Sequence, residues 1–233
     1  MRRSCLPLSM IRKDKDSRCE MENTTLNHRR SPVKFPKAPR KKENRDGWEV
    51  VLEYEDQGNG PFLIDLSHVP KWDVQDTRLS SVEPWGDRIP EISGSCTVQN
   101  GTLVTRMNPT QAAVWHLLEV DSTIPRHTAY TDITDAYTLM AVLSKEVFSI
   151  MEKVTPLDLS SPAWKPPFMV QGPVLRIRCQ VVVMGVKEDW ATVLIACFRG
   201  YGQSMAETLL DAGREWDLRP GGETVFRNWL AEK

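Results

Sequence analysis

The sequence predicts an α+β protein of two small antiparallel-sheet lobes with helices packed on the sheets. Three observations predict it. Asn100-Gly101 stands between two short apolar runs, Cys96-Thr97-Val98 and Leu103-Val104-Thr105. Asn-Gly tolerates the positive φ of a type I′ turn, whose twist matches paired strands, so Ser95 to Met107 reads as a hairpin. A second apolar hairpin runs from Leu175 to Phe198 around Lys187-Glu188-Asp189. Finally, helical periodicity appears after Ser144, in Val147, Ile150, Met151 and Val154, and again in Met205, Ala206, Leu209 and Leu210 before Gly213.

In chain order, residues 1–46 read as a basic, flexible arm. They hold 14 Lys/Arg and 6 Asp/Glu, whereas the remainder holds 16 and 25, so a formal net charge of −1 conceals halves of +8 and −9. A basic, aromatic-poor segment buries too little apolar surface to offset its ordering entropy. It would serve as an anchor for nucleic acid, an acidic membrane or an acidic partner. The plain alternatives are a solvated leader, or a start at Met10 or Met21.

The first lobe is assigned to residues 47–127. Folded structure is expected from Trp48, with Glu49 to Tyr54 alternating as a half-buried strand. The turn cluster Gln57-Gly58-Asn59-Gly60-Pro61 leads into a second strand, Phe62 to Leu66. Asn108-Pro109 has the form of an N-cap followed by a first-turn proline, which predicts a helix over Pro109 to Leu118. A polar break at Asp121 to His127 ends the lobe.

The second lobe, residues 128–233, reads strand, helix, strand, strand, helix. Asp132 to Leu143 is strand, Ser144 caps a helix, and Pro162, Pro166, Pro167 and Pro173 mark an extended connection. In the hairpin Leu175, Ile177, Cys179, Val181 and Val183 share one face. This order suits a ferredoxin-like sheet with helices on one face.

Five widely spaced cysteines without a Cys-x-x-Cys pair argue for a reducing compartment and against structural zinc. No run approaches the roughly 20 apolar residues that span a bilayer, and Leu6 to Ile11 is too short for a signal-peptide core. The expected location is cytoplasmic.

The densest polar group is Asp65-Leu66-Ser67-His68-Val69-Pro70-Lys71-Trp72-Asp73-Val74-Gln75-Asp76. His68 with Asp65 and Asp73 has the chemistry of a proton shuttle or metal ligand set, although no second His stands at ligand spacing. An interaction loop is the stronger reading. His68, Trp72, Asp73 and Trp85 are its candidate residues, because tryptophans anchor interfaces; local core packing of the two tryptophans is the alternative. Cys179 and Cys197 are equidistant from Glu188 and should face each other, as a redox pair or as small core residues. Gly200-Tyr201-Gly202 could cradle an anion or simply make a tight strand-to-helix turn. His116 and His127 stand alone. No catalytic residue and no metal ligand is assigned.

Residues 130–213 carry a further pattern. Thr131-Asp132-Ile133-Thr134-Asp135-Ala136-Tyr137 is followed by Pro156-Leu157-Asp158-Leu159 and Ala163-Trp164 with prolines. The hairpin comes next, then Arg199-Gly200-Tyr201-Gly202-Gln203-Ser204 and Leu209-Leu210-Asp211-Ala212-Gly213. This order resembles the gamma subunit of heterotetrameric sarcosine oxidase, a relative of the folate-binding glycine-cleavage T-protein (aminomethyltransferase) domain. The resemblance covers a little over a third of the chain. Where family members have a Gly-Pro pair before the first helix, this chain has Leu143-Ser144-Lys145. Catalytic T-protein relatives carry an aspartate pair in a strand that here reads Cys179-Gln180-Val181-Val182-Val183, without a carboxylate.

The resemblance therefore implies a non-catalytic accessory subunit of a complex that oxidatively demethylates sarcosine or a related methylated amine. Flavin and tetrahydrofolate would sit on larger flavoprotein and folate-binding partner subunits, and no cofactor on this chain alone. Two alternatives stand beside it. One is a folate-dependent aminomethyltransferase or demethylase using His68 and the surrounding acids. The other is a regulatory or nucleic-acid-binding protein using the basic arm.

Overall fold

A computed structural model describes residues 28–118 and 129–231. Along the chain run β1 (Pro39–Arg45), β2 (Trp48–Tyr54), β3 (Phe62–Asp65), β4 (Lys71–Gln75), β5 (Cys96–Gln99), β6 (Thr102–Asn108), β7 (Gln111–His116) and β8 (Tyr130–Asp132). Then follow β9 (Tyr137–Ser144), α1 (Val147–Glu152), β10 (Phe168–Val174), β11 (Ile177–Lys187), β12 (Trp190–Phe198), α2 (Gly202–Ala212), β13 (Arg219–Gly221) and α3 (Glu223–Ala231). The class is α+β.

The strands form a β1–β2 ribbon, a six-stranded sheet in the order β10-β11-β12-β9-β3-β13, and a five-stranded sheet in the order β5-β6-β7-β4-β8. The six-stranded sheet is buried on both faces, which is why β9 and β12 are almost continuously apolar. Met140, Val142, Val193 and Ile195 pack with α1 and α2. Leu139, Ala141, Leu143 and Leu194 face the five-stranded sheet and α3, meeting Leu103, Ala113, Trp115, Phe226 and Trp229. The far face of the five-stranded sheet carries Trp72, Val74, Val104, Ala112 and Val114.

The expected division at residue 127 does not separate these sheets. β3 lies between β9 and β13, and β8 pairs with β4. Each sheet thus takes a strand from the other half of the sequence. The helix expected over Pro109 to Leu118 is strand β7 instead. Its residues alternate, Ala112 and Val114 to one face and Ala113 and Trp115 to the other, and both faces are covered. The Asn108 side chain does accept a hydrogen bond from the Thr110 amide at 2.9 Å. It closes a tight turn between β6 and β7 rather than opening a helix, a conformation that asparagine favours equally.

The basic arm is shorter than expected, because structure begins well before Trp48. β1 pairs with β2 through Asp46-Gly47, both at positive φ, as a type I′ turn requires. Upstream of β1, Val33 is buried in the helix-side core. Residues 1–27 lie outside the described residues. The proline-rich connection also proves partly regular. β10 pairs with β11 across Leu175-Arg176, both again at positive φ. The extra strand replaces the expected strand-helix-strand-strand-helix order.

Candidate functional site

A cleft between the N-terminal segment and the end of β3 is built from short, polar connections. Residues 28–37 cross the molecule and are tied down along their length, at Arg30 O by the Arg199 guanidinium among others. The Arg29 amide donates to Gly47 O at 2.9 Å. Ser31 Oγ donates to Asp65 Oδ2 at 2.5 Å. Lys34 exchanges backbone bonds with the Gln203 side chain on α2, its amide donating at 2.7 Å and its carbonyl accepting at 3.2 Å. Between this segment, the β1–β2 ribbon and the end of β3 lies a cavity of about 560 Å³. That volume falls within the range of small-molecule sites.

At the floor, Asp65 receives the Ser31 hydroxyl on one oxygen and the Ser67 amide and hydroxyl on the other, at 3.0 and 2.6 Å. Trp48, Phe35, Tyr54 and Val50 supply the apolar lining. His68 also lines the cavity and bonds Glu223 Oε1 through Nε2 at 3.0 Å. Arg45 Nη1 donates to the same oxygen at 2.7 Å.

The Glu223 side chain is only 3% exposed. Burial alone would raise its pKa, but the bonds from His68 and Arg45 outweigh this and hold it down to about 2. An ionised carboxylate can only accept, so His68 must carry its proton on Nε2. Beneath this region Lys71 is completely buried, its Nζ donating to Ser67 O and Val69 O at 2.9 and 2.6 Å. Burial pulls its pKa down to about 7, against the opposing fields of Asp65, Asp132 and Asp135.

The structure disperses the candidate interaction residues. His68 faces the cleft, but Asp73 is on β4, bound to Gln75 and Gln111 at 2.5 and 2.6 Å. Trp72 is 6% exposed and packs on Trp85 with centroids 5.6 Å apart. Trp85 in turn meets His116 edge-on at 4.5 Å and Tyr130 at 5.6 Å. Trp72 is therefore no exposed anchor, and His68 and Asp73 do not form one group. His116, expected to stand alone, is packed in this aromatic cluster; burial lowers its pKa to about 4 and keeps it neutral. His127 lies outside the described residues.

Cys179 and Cys197 do face each other across β11 and β12, both almost wholly buried. The hydrogen bond between them and burial together push the Cys197 thiol up, which favours an unreactive proton-bearing form. Gly200 and Tyr201 form the turn into α2. A Cβ on Gly202 would run into Thr138 and Pro32, so close packing accounts for the second glycine. Among the described residues, no group of three or more His, Cys, Asp or Glu is placed to hold a metal, and no helix is long and apolar enough to cross a membrane.

Glu223, Arg45 and Lys71 were not singled out by the sequence. Arg45 and Glu223 meet across 178 residues. The Lys71 head group, in contrast, bonds carbonyls only two and four residues away, so it is burial rather than distance that the sequence concealed there. The one local signal was Asp46-Gly47, a hairpin dipeptide that places Arg45 at a strand end.

No family model matches the chain, and no curated protein sequence matches it. Among solved structures it is similar to a chain of heterotetrameric sarcosine oxidase from Corynebacterium sp. U-96, in complex with pyrrole 2-carboxylate. The TM-score is 0.54 at 13% identity, over 66% of this chain and 84% of that one. The likeness is one of fold: this chain has a sarcosine oxidase-related fold.

Proposed function

We propose that this chain is a non-catalytic accessory subunit of a hetero-oligomeric complex akin to sarcosine oxidase, one that oxidatively demethylates a methylated amine. The shared fold, which accounts for 84% of the similar chain, carries the reading. The strand Cys179 to Val183 supports it. Its side chains are apolar and packed in both cores, or are Gln180, and it offers no carboxylate to act as acid or base. In this reading flavin and tetrahydrofolate belong to larger partner subunits of the gamma-type assembly, in the cytoplasm.

Tryptophan loops are not the contact surface in this reading, since Trp72 is covered. The better surface is the end of β12. There Phe198 and Tyr201 are 51% and 49% exposed, and Tyr137 stacks on Phe198 at 4.9 Å. Exposed aromatics in a group mark interaction sites.

Purification of the tagged chain from its native cells tests the proposal. A stoichiometric complex that absorbs as a flavoprotein and contains a folate-binding chain is expected. Its recovery should fall when Phe198→Ala and Tyr201→Ala are combined. A colourless monomer that binds tetrahydrofolate by itself would replace the accessory role with an enzymatic one.

A further inference from the structure

The charges lining the cleft beside the β1–β2 ribbon do not cancel. Arg29, Arg30, Lys34, Lys37 and Lys42 stand against Glu49 and Asp65. Three of these cations are engaged: Arg29 with Asp135 at 3.4 Å, Lys42 with Glu49 at 2.8 Å, and Lys37 with the Asp56 carbonyl at 2.8 Å. Among the described residues, the exposed side chains of Arg30 and Lys34 have no such partner. Both oxygens of Asp65 are already taken by Ser31 and Ser67. The floor carboxylate is thus satisfied by hydrogen bonds and the rim carries surplus positive charge.

Trp48 lines the cleft and is 98% buried, with the Arg199 guanidinium 5.6 Å from its ring centre. The remaining lining, Phe35, Tyr54 and Val50, is apolar or aromatic, with Phe35 and Tyr54 edge to face at 6.0 Å. The cavity of about 560 Å³ is of small-molecule size.

We propose that this cleft is a binding site for a small organic anion. Its carboxylate or phosphate would meet Arg30 and Lys34, and its aromatic or apolar body would lie against Phe35, Tyr54 and Val50. The site goes beyond the accessory role proposed above and does not rest on it.

Calorimetric titration of the full chain, with tryptophan fluorescence as a second readout, tests the site. The probes are phenyl phosphate and phenylacetate; inorganic phosphate, benzyl alcohol and hexaglutamate serve as comparators. One of the two aryl anions is expected to saturate the protein with Kd near or below about 1 mM, and about tenfold more tightly than either inorganic phosphate or benzyl alcohol. Arg30→Glu and Lys34→Glu lie on exposed positions and should leave thermal unfolding unchanged while each weakens binding about tenfold.

Four outcomes overturn the proposal. They are absence of saturable binding up to about 10 mM, binding indifferent to both charge reversals, equal affinity for inorganic phosphate or benzyl alcohol, and tighter binding of hexaglutamate. The last would make the rim a docking surface for an acidic polypeptide.

Discussion

A lysine head group hydrogen-bonded only to two backbone carbonyls is an electrostatic burden on the folded chain. Lys71 has its pKa lowered to about 7 from an ordinary 10.5 by burial. Between those values the unfolded chain binds a proton that the folded chain does not, so stability rises with pH across that window. Below pH 7 the penalty is complete and constant. Denaturant unfolding between pH 7 and 8, below the range where the unfolded chain's thiols titrate, should show a gain of up to about 1.4 kcal/mol per pH unit. Lys71→Met should flatten that profile.

Glu223 works in the opposite sense. With its pKa held down to about 2, its contribution is complete above the ordinary 4.5 and is lost as pH falls toward 2. Glu223→Gln keeps the shape but leaves Arg45, whose side chain is 14% exposed, without a counter-charge there. A loss of about 3 kcal/mol in denaturant unfolding is expected.

At the level of elements, apolar runs made the β5–β6 and β11–β12 hairpins legible, whereas β1–β2 was missed although Asp46-Gly47 marks its turn, because the charged β1 has no apolar run. Asn100-Gly101 announced the β5–β6 pair. The Leu175-Arg176 turn did not announce β10, because neither residue favours the positive φ that both adopt. The Pro109 helix failed for a related reason. Asn-Pro suits a turn as well as a cap, and only burial of both faces of β7 decides between them. The cleft was half legible: His68 stood out, but its partners come from distant elements.

The Glu188-Asp189 turn tests the same physics. Both residues are exposed and sit at φ of 48° and 71°. Glu188→Asn combined with Asp189→Gly should stabilise the protein by about 0.5–1 kcal/mol, read as a raised melting temperature. An unchanged or lowered value would mean that the turn carries no strain.

For the whole molecule, the crossing of β3 and β8 between the two sheets makes separate unfolding of two lobes impossible without tearing a strand from the middle of the six-stranded sheet. Tryptophan fluorescence and far-ultraviolet circular dichroism should therefore follow a single, coincident denaturant transition. Two resolved transitions would contradict the topology.

The distance along the chain between Arg45 and Glu223 has a consequence for how the protein is made. At the usual pace of synthesis, the 178 residues separating them take roughly 10–35 s to emerge. Through that interval the cation lacks its buried partner Glu223, and the core face that awaits Phe226 and Trp229 stays wet. A chain released early can form hairpins but cannot seal them. α3 thus covers a core that the earlier strands leave open, and fragments lacking it present the apolar surface by which chaperones and proteases sort unfinished products.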